Sequence, residues 1–342
     1  VTKEVTECTA KVCAECVLPE TFPGVHIDEF GVCNHCSEYK SNLSETDEKV
    51  KYQIRCEELF EQERGKHHYD ALICYSGGKD SSYTLSLLKE RYHLNVLAAT
   101  LDNGFISPQA LKNIASLVEN LGVDHLFFKP NFRLLAAIFA HCAENDIFPV
   151  KTLERASTIC TACMTFTKFM ALRLAIEDDI PYVIYGWSPG QAPLTSSIMK
   201  NNPSMVKMMQ HSVLTPLRQM AGDEIVKYFL TQRHFEQPER FPYNIHPLAF
   251  LPYDEDQIYS TISRLGWEPP RDVDPNSSNC QLNSYANVIH QQRFGVNPYV
   301  FELAHLVRTG CLDRQAALNR LNLSADAGAL NKVGNKLRSY LE

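Results

Sequence analysis

Three things are scarce in this chain of 342 residues, and each scarcity narrows what it can be. Positive charge is the first. Lys and Arg number 33 against 40 Asp and Glu, a net charge of −7. A nucleic-acid binder usually shows a basic excess or stripe. None is visible, so a large RNA substrate is disfavoured. Long apolar runs are the second. No stretch of about 18 apolar residues is evident, so no membrane span is expected. The opening residues VTKEVTECTA are polar and lack the core of an export signal, which makes a cytoplasmic chain the expectation. The third is repetition: no internal repeat and no low-complexity segment is found. With 44% hydrophobic and 21% charged residues, one main domain with small additions is expected.

Cysteine, by contrast, is plentiful. Twelve in a chain without an export signal point away from disulfides and towards metal or reactive thiols. Cys13, Cys16, Cys33 and Cys36 form two CxxC knuckles separated by sixteen residues, a spacing that suits one tetrahedral zinc. The segment between them supplies Pro19, Pro23, Gly24 and Gly31 as turn residues around a strand-like centre, as a ribbon would. Four ligands leave no open position, so the site is structural in character. Metal-free thiols and an iron–sulfur cluster are the other readings. Cys8 and His35 are spare donors. A third CxxC, Cys160 and Cys163, enters a helix read over 164–177, where the helix N-terminus favours thiolate. Two buried small residues are the plainer reading. Cys280 lies in a polar, proline-rich loop over 268–283, where core packing explains it poorly. Cys56 reads as a packing residue and Cys311 as a turn residue.

The chain is organised around residues 71–82, ALICYSGGKDSS. A short apolar strand is followed at once by Ser76-Gly77-Gly78-Lys79-Asp80-Ser81-Ser82, and then by apolar residues at helical spacing. A glycine turn opening a helix aims backbone N–H groups and the helix dipole at one point, which suits an anion. Adjacent glycines let the backbone approach a pyrophosphate, and Ser76, Ser81 and Ser82 add short donors. Asp80 has the wrong charge for phosphate, so it bridges through magnesium or caps the turn. The pattern is not the Walker form.

Further strands are expected over 94–101, 124–128, 180–186 and 244–251, with helices over 108–121, 132–145, 223–231 and 254–265. The second strand ends in Asp102-Asn103-Gly104, at the carboxyl edge where doubly wound sheets place ligands. Gly186 to Gln191 closes the fourth strand and faces the loop from the other side. Residues 192–215 read as an irregular loop with Lys200, Lys207 and His211 as loose candidates. The tail from Asn297 reads as helical.

The S-G-G-K-D-S loop resembles the pyrophosphatase loop (PP-loop) of the adenine nucleotide alpha-hydrolase superfamily. The resemblance implies an α/β fold, a doubly wound parallel sheet, here with an N-terminal zinc ribbon and a helical C-terminal tail. It implies cleavage of ATP to AMP and pyrophosphate by adenylation of a substrate oxygen, with Ser76, Gly77, Gly78, Lys79, Asp80, Ser81 and Ser82 on the phosphates. Leu101, Asp102 and Gly186 would then lie near the adenosine. Two relatives within that group share more. The opening CAECVLPETFPGVHIDEFGVCNHC, HPLAFLPYDEDQI and DRQAALNRL resemble the N-acetyl sugar amidotransferases. The knuckle pair, the loop, the central CxxC and a distant third cysteine are similar to the cluster-dependent tRNA thiolation enzymes. By motif match, that likeness puts a [4Fe-4S] cluster on Cys160, Cys163 and Cys280. The chain departs from the thiolation family in showing no second zinc module near its C-terminus and no basic surface for tRNA.

The expected division is a zinc ribbon over 1–40, a linking helix over 41–68, a PP-loop domain over 69–268, and a cysteine-bearing loop with C-terminal helices over 269–342. The expected activity is ATP-dependent sulfur transfer. ATP and magnesium sit on the loop, Cys160, Cys163, Cys280, Asp80 and Lys79 do the chemistry, and Lys168 is a further candidate cation. A variant without a cluster puts a persulfide on Cys163, resolved by Cys160 or Cys280. The alternative enzyme is an amidotransferase fed ammonia by a glutaminase partner, and the non-enzymatic alternative is a nucleotide-binding regulator. A small-molecule substrate is favoured over tRNA, with a sulfur donor as partner, no membrane, and a homodimer compatible with the superfamily resemblance.

Overall fold

Alternating apolar runs and helical periods build one sheet flanked by helices, and the computed structural model describes residues 11–41, 45–274, 276–323 and 326–340. Cys8 lies outside them. The chain opens with α1 (Asn34–Ser41) and α2 (Glu45–Glu63), then β1 (Ala71–Cys74), α3 (Lys79–Ser86), β2 (Val96–Leu101) and α4 (Pro108–Leu121). Next come β3 (Asp124–Phe128), α5 (Phe132–Glu144), α6 (Val150–Leu153), α7 (Thr158–Glu177) and β4 (Tyr182–Tyr185). They are followed by β5 (Ile198–Lys200), α8 (Pro203–Ala221), α9 (Gln232–Phe235), β6 (Tyr243–Ile245) and α10 (Glu255–Arg264). Four helices close the chain: α11 (Gln281–Phe294), α12 (Val300–Arg308), α13 (Arg314–Asn322) and α14 (Ala327–Arg338).

The strand order is β3-β2-β1-β4-β6-β5. All neighbours are parallel except β5, which runs antiparallel to β6 at the edge. Central β1 aligns Cys74 with Ala99 on one side and Tyr185 on the other. The chain winds outward from β1 through β2 to β3, then crosses to β4. The reversal beside β1 is the topological switch point, where the carboxyl ends of strands open a crevice. The loop after β1 therefore falls where ligands bind in this architecture.

Several local expectations are corrected. The strand expected over 244–251 ends at Ile245, because Pro247 has no N–H for a ladder and a 3-10 turn, Pro247–Ala249, follows. The helix expected over 223–231 is a 3-10 turn, Asp223–Tyr228. The segment expected to be irregular, 192–215, contains β5 and most of the 19-residue α8. Asn202 caps α8 by accepting from Ser204 and Met205 backbone N–H, and Pro203 begins it. Helix α7 starts at Thr158, so its CxxC lies inside the first turns. Helix α11 starts at Gln281, so the preceding loop is shorter than expected and Cys280 stands at the N-cap position with no side-chain capping bond. One helix is also longer and more apolar than the sequence reading allowed. Helix α7 spans 20 residues at mean hydropathy 1.4 and could cross a membrane by length and composition. Here it is a core helix, burying Phe166, Phe169, Leu172 and Ile176.

Candidate nucleotide and thiol site

The loop after β1 is shaped by its glycines. Gly77 sits at φ +73, and a Cβ there would stand 2.8 Å from the Ala110 carbonyl oxygen, so neither conformation nor space admits a side chain. A Cβ on Gly186, just past β4, would lie 2.4 Å from the Ser81 Cα. The turn after β4 thus packs directly on the first turn of α3. Ser76 and Ser81 hydroxyls are 3.0 Å apart, and the Gly78 N–H donates to Ser76 Oγ at 3.3 Å. The Lys79 N–H donates to Ser278 Oγ at 2.8 Å, and Trp267 Nε1 donates to the Gly77 carbonyl at 3.0 Å. The loop is therefore gripped from beyond residue 265, by the segment that leads to Cys280.

Lys79 is buried, 8% exposed, and donates to Tyr253 Oη at 2.7 Å and Glu255 Oε1 at 2.6 Å. Burial works against its charge, but Asp80 and Glu255 outweigh burial and raise its pKa. Burial likewise opposes the Glu255 carboxylate, yet Arg320 and Lys79 bring it down to about 2. Tyr253 donates onward to Asp80 Oδ1 at 2.9 Å. The cation of the loop is thus held by Tyr253 and by Glu255 of α10, a carboxylate shared with Arg320 of α13, and Asp80 is held through the same tyrosine.

The structure brings Cys160, Cys163 and Cys280 together from two distant parts of the chain. Asn103 Nδ2 donates to Cys163 Sγ at 3.5 Å and to Cys280 Sγ at 3.4 Å. Those two sulfurs are therefore separated by no more than the two lengths combined. Asn283 Nδ2 reaches Cys160 Sγ at 3.5 Å. The backbone does the gathering: Ile106 and Cys280 form an antiparallel bridge, the Ser107 N–H donates to the Asn279 carbonyl, and the Gln281 N–H donates to the Phe105 carbonyl, both at 2.9 Å. Ser157 caps α7 by accepting from the Cys160 N–H at 3.1 Å. All three cysteines are half-buried. The sequence expectation of a lowered thiol pKa is overturned. Burial dominates the helix terminus and pushes Cys160 up to about 11, Cys163 to about 12, and Cys280 upward.

The N-terminal tetrad is differently built. Cys13, Cys16, Cys33 and Cys36 are each 2% exposed or less, and their sulfurs all lie within 4.8 Å of one another. Among the described residues this is the one group of three or more Cys, His, Asp or Glu placed to hold a single metal ion. The Leu18 and Cys33 N–H groups donate to Cys16 and Cys13 sulfurs at 3.4 and 3.2 Å. Burial opposes ionisation of Cys13, but the surrounding backbone donors bring its pKa down to about 7. Arg314 donates to the Cys13 and Cys16 carbonyls at 2.8 Å each, and Phe22 stacks on Phe301 at 5.5 Å. The ribbon is docked on α12 and α13, a contact that spacing alone does not reveal. His35 packs edge-on to Phe301.

The remaining candidates scatter. Leu101 is half-buried at the end of β2. Asp102 accepts from the Gly104 N–H at 2.8 Å and pairs with Lys129 at 2.9 Å. Lys168 stands 5.2 Å from the Trp187 ring, which stacks on His246 at the carboxyl edge. Lys200 and Lys207 cover Tyr243 and Phe235, and His211 is an exposed residue of α8. Sequence reading missed Ser278, Asn103, Asn283, Tyr253 and Glu255. The polar turn after β2 and the polar flanks of Cys280 signal the first three, and Tyr253 and Glu255 lie within HPLAFLPYDEDQI. It also missed Glu302 on α12, which accepts from Ser188 Oγ and from Gln191 Nε2. Burial there pushes the carboxyl up to about 7.

No family model matches the chain. It is 22% identical over 277 residues to the uncharacterized protein MJ1599 of Methanocaldococcus jannaschii, covering 80% of this chain and 79% of that protein. Among solved structures it is similar to the U34-tRNA thiolase NcsA from Methanococcus maripaludis with its [4Fe-4S] cluster. That match has TM-score 0.39 and 14% identity, over 96% of this chain and 88% of that one. It is similar also to NMN synthetase from Francisella tularensis, at TM-score 0.37 and 14% identity over 84% and 95% of the two chains. NH3-dependent NAD synthetase from Campylobacter jejuni follows at TM-score 0.34 and 12% identity over 87% and 94%.

Proposed function

We propose that this chain is an ATP-dependent PP-loop enzyme that adenylates a carbonyl or amide oxygen, releases pyrophosphate, and replaces the oxygen with sulfur. The observation that carries the reading is the convergence of three sulfurs beside the loop. Three half-buried cysteines from separate segments meet beside a glycine loop, and Ser278, two residues from Cys280, touches that loop. The donor set fits an iron–sulfur cluster: soft sulfur ligands only, with amide N–H groups aimed at them. Cys160, Cys163 and Cys280 would hold it. When bound, such a cluster would present sulfide taken from a sulfur donor as the nucleophile, and AMP would leave carrying the substrate oxygen.

The chain's own residues do the rest. The glycine turn and the hydroxyls of Ser76 and Ser81 bind the phosphates at the start of α3; Ser82, expected to join them, is fully buried with its hydroxyl 3.3 Å from Tyr75 Oη. Asp80 is the carboxylate nearest to them for a magnesium ion. Gly186 closes the loop from the β4 side, and Leu101 and Asp102 flank the adenosine. Lys168 supplies positive charge at the carboxyl edge. Holding nucleotide and acceptor in one site supplies most of the rate through positioning. The tetrad holds a structural zinc. The acceptor is a small molecule, and the compartment is the cytoplasm.

The test compares nucleophiles. Anaerobically reconstituted protein is given ATP, candidate carbonyl acceptors, and either sulfide or ammonium. Sulfide-dependent pyrophosphate release that is lost in Cys280→Ser supports sulfur insertion. Ammonium-dependent release that survives Cys280→Ser turns the reading to an amide-forming ligase.

A further inference from the structure

The amide side chains around the three sulfurs are oriented by partners that allow one orientation only. Asn103 is 7% exposed, and its Oδ1 accepts the Phe105 backbone N–H at 2.9 Å. A backbone N–H is an obligatory donor, so the oxygen must face it and the NH2 must face the sulfurs. Asn283 is 8% exposed and is fixed through a longer chain. Asn287 Nδ2 donates to the Asp274 carboxylate at 3.1 Å and to Asn283 Oδ1 at 2.9 Å. The carboxylate can only accept from Asn287, so Asn287 presents its NH2, Asn283 presents its oxygen to Asn287, and Asn283's own NH2 is turned onto Cys160. Both amides are thus locked, with donors aimed at three sulfurs on three approaches. Burying two asparagines with N–H groups spent on thiols is a poor use of a donor, because a neutral thiol accepts weakly. Sulfur bound to metal accepts well.

Resting on the sulfur-insertion reading, we infer that Asn103 and Asn283 are positioning residues for a metal cluster on Cys160, Cys163 and Cys280, and that their N–H···S bonds set its reduction potential. Such bonds draw electron density from the sulfur and raise the potential. Asn103 has the larger share, because it addresses two sulfurs that arrive from different segments and ties them together. Asn283 addresses one. The ribbon sulfurs differ in their donors: among the described residues they take backbone N–H groups of Leu18 and Cys33 and the Arg308 guanidinium at 3.7 Å, and no side-chain amide.

The test uses the full chain, reconstituted anaerobically with iron and sulfide. Asn103→Asp and Asn283→Asp keep the acceptor oxygen that the Phe105 N–H or Asn287 needs and remove the donor. Unchanged zinc content and melting temperature report the fold. The expected result is iron loss to a chelator about tenfold faster, a lower midpoint potential in a redox titration followed by electron paramagnetic resonance, and a larger change for Asn103→Asp. If Asn103→Asp loses zinc and does not fold, Asn283→Asp carries the same test at Cys160. A cluster with wild-type stability and potential in a folded variant overturns the inference alone. Wild-type protein that takes up no iron and sulfide overturns it together with the sulfur-insertion reading.

Discussion

The chain holds its sulfur in two places, and the two are built to opposite rules. The N-terminal tetrad is nearly inaccessible and close-packed, with backbone donors on Cys13 and Cys16, and it is clamped by Arg314. The triad of Cys160, Cys163 and Cys280 is half-buried, drawn from α7 and the 268–280 loop, and steadied by side chains. A closed four-thiolate shell holds a fold together; an open three-thiolate shell leaves room for a reaction. The comparison teaches that cysteine count and CxxC spacing do not separate structure from chemistry. Accessibility and the neighbouring loop do.

Breaking the tetrad should cost most. Cys33→Ser is expected to abolish zinc binding and lower stability by several kcal/mol, because the ribbon shares one core with α12 and α13; zinc analysis and a thermal melt check this. Cys280→Ala should do the reverse, with triad iron falling to background while zinc stays and the melting temperature moves little. A melt as low as that of Cys33→Ser would make the triad structural after all. Gly77→Ala sharpens the contrast from the nucleotide side. The left-handed φ and the clash with the Ala110 carbonyl should cost about 2 kcal/mol or more. ATP affinity should fall, with ribbon zinc untouched, as calorimetric titration would show.

The smallest effect is one of pH. Glu302 lies at about 7 when folded, against an ordinary 4.5. The folded state therefore binds more protons than the unfolded state between those values. Stability contributed by this group falls as pH rises from 4.5 through about 7, and stays lost above. Glu302→Gln should flatten that part of the stability–pH curve in denaturant titrations. An unchanged slope would show the carboxyl ionising without cost.

Much of this was legible beforehand, for identifiable reasons. The loop of 76–82 is local, so its glycines and hydroxyls could be read in order, and α4 falls where its Pro108 and Gly122 place it. The tetrad declares itself by spacing. Non-local contacts were not legible. Nothing near Lys79 announces Glu255 or Tyr253, more than 170 residues away. Nothing near Asn103 announces Cys280, although the triad was expected from motif likeness. The thiol pKa expectation failed because a helix terminus is read from sequence and burial is not. Pro247 was visible, but the apolar run around it outweighed it in the strand assignment.

The central claim is that the triad sulfurs are ligands to iron. The most direct measurement is zinc, iron and acid-labile sulfide content of anaerobically reconstituted protein, with the spectrum of the reduced sample, in wild type and Cys280→Ala. The account predicts about one zinc in both and about four iron and four sulfide in the wild type alone. A colourless wild-type protein holding zinc and no iron would contradict it.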